Sequence, residues 1–112
     1  DAGTKYGLVM LGWTGDYADP NNFLRTHFGP GTVREAGYNN PEVFRLLDEA
    51  GTADSQEEAA ALFQQAGRII NADLPRVPIV HAPPVYGQRA TLEGWIPSPS
   101  GGESFANLSI SR

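Results

Sequence analysis

A helical pattern with its own start and stop signals lies in the middle of the chain and most constrains the fold. Asn40 is a good N-cap, Pro41 suits the first helical position and Gly51 provides a C-terminal stop, so a helix is predicted over 41–50. Apolar side chains recur on one side of this helix at helical spacing, with Leu46 flanking them. That apolar face comprises Val43, Phe44, Leu47 and Ala50. The helix is therefore expected to pack against a partner on one side only.

The partner is predicted directly downstream. Ser55 is followed three residues later by Glu58, which is the spacing of a capping box, and the pattern beyond it predicts a helix over 56–73. The apolar face of this second helix comprises Leu62, Phe63, Ala66, Ile69 and Ile70, with Leu74 as a further candidate. Because only a short link through 52–54 separates the two helices, they are predicted to be antiparallel neighbours and to form the scaffold of the fold.

Upstream of these helices, a short apolar run leads through a turn into a further helix. Residues 8–11 are apolar and lie between glycines, which predicts a short buried strand. Glycines on both sides of Trp13 let the backbone turn sharply there. Asp19 and Pro20 suit the N-cap and first position of a helix that carries Phe23, Leu24 and Phe28. Asp19 thereby has a structural role, whereas Asp16 has no comparable one and is the candidate for function.

Prolines shape the chain after the second long helix. Pro75 and Pro78 end that helix and confine 77–82 to an extended segment, which predicts a strand with at least one unpaired position. From there onward, proline, glycine and serine interrupt short apolar stretches. Residues 97–112 are therefore predicted to form a tail that packs poorly on itself, separate from a single domain over 1–96.

Composition excludes several functional classes. The chain has 13 acidic and 8 basic residues and a net charge of -5, so it lacks the basic patch that nucleic-acid binding requires. It contains no cysteine, which excludes disulfides, thiolate catalysis and cysteine-ligated zinc. His27 and His81 have no acid or second histidine at the spacing of a local metal site. No apolar run approaches the roughly 20 residues that span a bilayer. We therefore expect no nucleic acid, no metal, no cofactor and no membrane span.

The segment from Trp13 to Leu24 reads WTGDYADPNNFL. It resembles the W-x-x-D-Y-x-D-P-x-N-F signature found late in the solute-binding proteins of peptide-type ABC transporters. Further similar elements follow in the same order, namely YNNPE at 38–42, INADLP at 70–75, VPIV at 77–80 and LEGW at 92–95. The resemblance covers nearly the whole chain. It departs from the family at 59–61, three alanines where an arginine is frequent, and this leaves the ligand subclass open.

The resemblance implies an α/β fold in which the chain is the C-terminal part of a longer protein. Residues 1–96 would form part of the ligand-binding lobe of a type II periplasmic-binding-protein-like structure, with two antiparallel helices and a few strands. Residues 97–112 would return to the other lobe. The implied protein is periplasmic or extracytoplasmic and not an enzyme, and it binds a peptide or another small solute for delivery to ABC transporter permease subunits. Apart from its other lobe, such a chain is expected to self-associate or to be marginally stable.

The same resemblance implies candidate ligand contacts. In peptide-binding members the aspartate of W-x-x-D pairs with the α-amino group of the ligand, and Asp16 matches that position. Without the resemblance, an Asx-turn is the simpler interpretation of Asp16. Trp13 suits a core residue and a pocket wall equally well. Tyr17 and Asn22 are weaker candidates, because a tyrosine after a turn usually packs and Asn22 falls within the predicted helix.

Two other functions stay open on the sequence. A small hydrolase or isomerase could use Asp16 and Asp19 as a carboxylate pair, but Asp19 has a capping role and the sequence shows no second catalytic group. A freestanding interaction domain that docks through its proline-rich tail would explain the tail. It would leave the segment around Trp13 unexplained.

Overall fold

The computed structural model describes residues 9–98 and 102–111. Its elements in chain order are α1 (Pro20–Phe28), a 3-10 turn (Pro30–Thr32), α2 (Val33–Ala36), α3 (Pro41–Ala50), α4 (Gln56–Asp73), β1 (Leu92–Glu93) and β2 (Ser109–Ile110). The helices predicted over 41–50 and 56–73 are confirmed. The chain divides into two compact units, one ending at Val77 and one beginning at Pro78. The predicted boundary after residue 96 concerns a two-lobed protein and stays a prediction.

The helices α1 and α3 begin at the predicted capping residues. Asp19 Oδ1 accepts a hydrogen bond from the backbone N–H of Asn21 at 2.7 Å. Asn40 Oδ1 accepts from the backbone N–H groups of Glu42 at 3.1 Å and of Val43 at 3.3 Å. Both helices have proline in the first turn, where the missing N–H costs nothing. Each cap satisfies donors that the helix itself leaves unpaired, and this fixes where the helix starts.

The longest helix, α4, is bounded by a capping box and by a left-handed residue. Ser55 Oγ accepts from the backbone N–H of Glu58 at 3.1 Å, and the Glu58 carboxylate accepts in return from the backbone N–H of Asp54 at 3.3 Å. The helix is followed by Leu74, whose φ of 47° and ψ of 51° lie in the region that favours glycine. Its N–H still donates to the carbonyl of Ile70 at 3.0 Å, which closes the last turn. The candidate place of Leu74 on the apolar face is wrong, because its side chain is 55% exposed.

The core of the first unit lies between α3 and α4, with α1 packed against both. Its buried residues are Val43, Leu46, Leu47, Ala50, Phe63, Ala66 and Ile70. The predicted face of α3 is wrong in two places, since Leu46 is 1% exposed and Phe44 is only half-buried. At 3.6 residues per turn the four buried α3 residues fit within an arc of about 100°, and Phe44 lies about 60° beyond the edge of that arc.

The strands predicted at 8–11 and 77–82 are wrong as far as the structure describes them. Residue 8 lies outside the described residues, and residues 9–11 and 77–82 are irregular. Val9, Met10 and Leu11 are 59%, 86% and 62% exposed, so this run is not buried. A strand is stabilised by hydrogen bonds to a neighbouring strand. Within the described part of the chain neither segment has such a neighbour, so apolar composition alone does not make a strand.

The described strands form one small antiparallel pair in the second unit. Leu92 lies opposite Ile110, and Glu93 lies opposite Ser109. Helices together with this sheet agree with the predicted α/β class, and the assignment to a lobe of the type II fold stays a prediction. Among the described residues, no helix is both long enough and apolar enough to cross a membrane.

Candidate functional site

A single buried amide holds the loop that precedes α1. Asn22, the third residue of α1, is 3% exposed. Its Oδ1 accepts hydrogen bonds from Trp13 Nε1 and from the backbone N–H of Asp16, both at 3.0 Å. Its Nδ2 donates to Asp16 Oδ2 at 3.1 Å. Asn22 therefore brings together Trp13 and Asp16, the two leading candidates for ligand contact.

The expectation that Asp16 lacks a local structural role is wrong. One of its oxygens accepts from Asn22, so the side chain helps to close the loop instead of forming an Asx-turn. The carboxylate is nevertheless exposed. An ionised carboxylate offers about four lone-pair sites, and one bond from Asn22 leaves most of them available. Asp16 is thus an oriented surface carboxylate that can still accept hydrogen bonds from a ligand.

Trp13 and Tyr17 lie on the surface of this loop. Trp13 is 44% exposed, which suits a wall of a binding site better than a core position. Its N–H is bonded to Asn22, and its ring meets the ring of His27 edge to face at a centroid distance of 5.2 Å. Tyr17 is 51% exposed, and its carbonyl accepts from the N–H of Asp19 at 2.9 Å. The backbone of Tyr17 thus supports the cap of α1.

A row of four rings begins at Trp13 and crosses the first unit. We refer to Trp13, His27, Phe28 and Tyr38 as the aromatic strip. His27 and Phe28 have centroids 6.3 Å apart, and Phe28 and Tyr38 have centroids 6.0 Å apart. All these pairs are edge to face, the geometry that the charge distribution of aromatic rings favours. The strip therefore connects the loop of Asp16 to the end of α4.

Arg76 follows α4 and contacts the middle of the aromatic strip. Its Nη1 donates to His27 Nδ1 at 3.0 Å, and its guanidinium carbon lies 5.5 Å from the centre of the Phe28 ring. Because guanidinium only donates, this contact requires a neutral imidazole that accepts at Nδ1. Burial first, and then the charge of Arg76, lower the pKa of His27 below 6.5. In the described residues, no carboxylate forms an ion pair with Arg76.

At its far end the aromatic strip is fixed by Asp73. Asp73 Oδ2 accepts from Tyr38 Oη at 2.7 Å and from Asn40 Nδ2 at 2.8 Å. These two bonds lower the pKa of Asp73. Burial and the contact with Asp73 raise the pKa of Tyr38 to about 12. The arrangement ties the last turn of α4 to the first turn of α3, so it stabilises the scaffold and does not provide a reactive group.

Known proteins resemble this chain along nearly its whole length. It is 34% identical to heme-binding protein A of Haemophilus influenzae over 104 residues, 90% of this chain and 19% of that protein. Identity to probable di/tripeptide-binding protein 5 of Pseudomonas aeruginosa is 29% over 112 residues, 96% of this chain and 21% of that protein. Identity to oligopeptide-binding protein OppA of Bacillus subtilis is 31% over 103 residues, 91% of this chain and 19% of that protein.

These matches decide the family. The chain belongs to the peptide-type solute-binding proteins. It spans about a fifth of the length of these relatives. No family model matches the chain, and no solved structure matches it significantly.

Three residues of the first unit have contacts that the sequence does not predict. Asn22 is a weak candidate by sequence because helical periodicity gives no sign that an amide is buried, and its place early in a helix is the one available signal. His27 and Arg76 are 49 residues apart in the chain, and only the packing of α1 beside the end of α4 brings them together. An arginine and a histidine 49 residues apart match no known sequence motif.

The second unit contains a cavity of ≈ 450 Å³. Tyr86 and Trp95 meet edge to face in its wall, with ring centroids 5.0 Å apart, and Tyr86 Oη donates to Glu103 Oε1 at 3.3 Å. The other lining residues include Leu92, Phe105, Leu108 and Ile110. Sequence reasoning placed no candidate here, because the proline and glycine pattern predicts only turns.

Proposed function

We propose that this chain is part of a periplasmic or extracytoplasmic protein that binds a peptide and delivers it to the permease subunits of an ABC transporter. Relatives named for binding di/tripeptides and oligopeptides support a peptide as the ligand. The observation that carries the proposal is the Asp16 carboxylate, oriented by Asn22 beside Trp13 and open on the surface. Binding and release, without bond chemistry, is the proposed activity.

The geometry suits a ligand ammonium group. A charge-assisted hydrogen bond to a carboxylate is about twice as strong as a neutral one, and an indole face attracts a cation. Trp13 and Tyr17 provide half-exposed aromatic surface on either side of Asp16 in the chain. Closure of a second lobe over this surface would remove water and strengthen the charge pair, as expected for hinged binding proteins. Asp16, Trp13 and Tyr17 are accordingly proposed as the ligand contacts.

Three alternatives differ in their support. Heme is a second candidate ligand, because the relative at 34% identity is named for binding heme. A hydrolase that uses Asp16 and Asp19 as a pair is disfavoured, since Asp19 is engaged as the cap of α1 and Asp16 is bonded to Asn22. A freestanding interaction domain is disfavoured, because the similarity to solute-binding proteins extends along nearly the whole chain.

The proposal is tested by Asp16→Asn in the full-length protein, with alanyl-alanine (Ala-Ala) as the probe and calorimetry as the measurement. Asparagine retains an oxygen that accepts from Asn22 and removes the charge. Binding is expected to weaken by about 2 to 5 kcal/mol, the cost of removing one partner of a desolvated charge pair. The matched control is Asp19→Asn, which keeps an adequate N-cap and should leave affinity unchanged. Equal affinities for wild type and Asp16→Asn would contradict the assignment, and binding of heme alone would favour the second candidate.

A further inference from the structure

We propose that His27 is an acid-sensitive switch between α1 and the segment that follows α4. When the imidazole is neutral, it accepts a hydrogen bond from Arg76 and holds the two elements together. When the imidazole takes up a proton, it can no longer accept, and the contact opens. This role goes beyond the proposed function, because it does not depend on which ligand the protein binds.

The contact between His27 and Arg76 requires one protonation state of the imidazole. Arg76 Nη1 lies 3.0 Å from His27 Nδ1. A guanidinium group only donates, so the bond needs a neutral ring with its lone pair at Nδ1. A protonated imidazole has two N–H donors and no acceptor. The same two atoms would then meet as donor against donor, with one positive charge beside another. Protonation therefore replaces an attraction with a repulsion.

The surroundings of the imidazole provide no counter-charge within the part of the chain that the structure describes. From the loop before α1 the ring faces Trp13, with centroids 5.2 Å apart, and within α1 it faces Phe28, with centroids 6.3 Å apart. Asp16 of the same loop bonds to a buried amide of α1 instead. The hydroxyl of Thr32, in the 3-10 turn, donates to the His27 carbonyl and carries no charge.

Charged groups on the neighbouring helices have partners of their own. Arg25 of α1 pairs with Asp48 of α3. Asp73 in the last turn of α4 accepts hydrogen bonds from two uncharged side chains. Among the described residues, Arg76 is thus the charged group that contacts the His27 ring. A second positive charge on the imidazole would stand next to it without compensation.

The pKa of His27 agrees with this geometry. Burial first, and then the charge of Arg76, lower the pKa of His27 from 6.5. The unfolded chain takes up this proton at about pH 6.5, and the folded protein takes it up only at lower pH. The contribution of the neutral ring to stability is therefore present above pH 6.5 and is lost as the pH falls from 6.5 through the lowered pKa.

The histidine ring signals in the NMR spectrum of the full-length protein, followed over a range of pH, test the proposal. The His27 signal is the one that is missing from His27→Asn. In wild type it should titrate below pH 6.5. Arg76→Met removes the donor and the charge, so the pKa of His27 should rise, whereas Arg76→Lys keeps the charge and should keep the pKa lowered. The matched control, Arg68→Met, changes an exposed arginine of α4 and should leave the pKa of His27 as in wild type.

Urea midpoints of the same proteins at about pH 8 and about pH 5 measure what the switch does to the fold. The side-chain oxygen of His27→Asn takes the place of Nδ1 and accepts from Arg76 at both pH values. The midpoint should therefore fall less in acid for His27→Asn than for wild type. Equal falls would show that protonation does not open the contact and would overturn the proposal. A wild-type pKa of His27 at or above 6.5, or one that Arg76→Met leaves unchanged, would also overturn it.

Discussion

At the scale of single residues, the buried amide of Asn22 is the group on which the candidate site depends most. It makes three hydrogen bonds, and all of them go to the loop before α1. A buried polar group is tolerated when its donors and acceptors are paired, and a polar group left without its partner costs free energy. Asn22 therefore specifies where Trp13 and Asp16 lie, although it is itself hidden from solvent.

Replacing Asn22 with alanine is expected to free the side chains of Trp13 and Asp16. The backbone N–H of Asp16 and the indole N–H of Trp13 lose their acceptor, and we expect the free energy of unfolding to fall by about 1 to 3 kcal/mol. In the 112-residue chain, which has two tryptophans, urea unfolding followed by fluorescence in a Trp95→Phe background reports on Trp13. The control is Asn39→Ala, which changes an exposed asparagine outside the loop. An unchanged unfolding midpoint and emission spectrum in Asn22→Ala would show that the amide does not hold the loop.

At the scale of elements, the helix pair α3 and α4 is the part that local signals predict best. Its bounds were expected from Asn40, Ser55 and the apolar periodicity, and these are interactions within about four residues along the chain. The details of its interface were predicted less well, because Leu46 and Phe44 lie on opposite sides of the residues that both arrangements bury. Which one is buried depends on how α4 approaches α3 and not on the sequence of α3 alone.

Truncation of Phe63 tests the interface directly. Phe63 is 8% exposed in the core between α3 and α4, so Phe63→Ala should lower the free energy of unfolding by about 3 to 5 kcal/mol. The comparison is Leu74→Ala, which shortens a side chain that is 55% exposed and should cost about 1 kcal/mol or less. Urea midpoints of the full-length variants give both values. Similar midpoints for the two variants would mean that Phe63 is not buried in the protein.

At the scale of the whole molecule, the chain exposes apolar side chains that a complete domain would cover. Met10, Ile79, Val80 and Val85 are at least 75% exposed. The relatives are about five times as long as the segment they share with this chain. Apolar surface of this kind marks contacts with other polypeptide. We expect the rest of the full-length protein to pack against it.

The isolated 112-residue chain should therefore self-associate and bind Ala-Ala weakly or not at all. Burial of the exposed apolar residues favours association, and a ligand site that needs a second lobe has only part of its contacts. Sedimentation velocity over a range of concentrations measures the first effect, and calorimetry measures the second. A Met10→Lys, Ile79→Lys variant should associate less, whereas Arg68→Lys, an exposed change that keeps the charge, should behave as wild type. A monomeric chain that binds Ala-Ala at micromolar concentration would contradict this expectation.

Helix bounds, capping residues and the candidate Asp16 were accessible from the sequence by itself, because caps and periodicity involve neighbouring residues and the signature around Trp13 is contiguous. The tertiary structure alone decided that Asn22 is buried against the loop, that Arg76 meets His27, and that 9–11 is not a strand. Each of these outcomes depends on which distant segment comes to lie alongside. The role of a buried amide or of an unpaired arginine depends on that distant neighbour. The local pattern of residues does not identify which neighbour it will be.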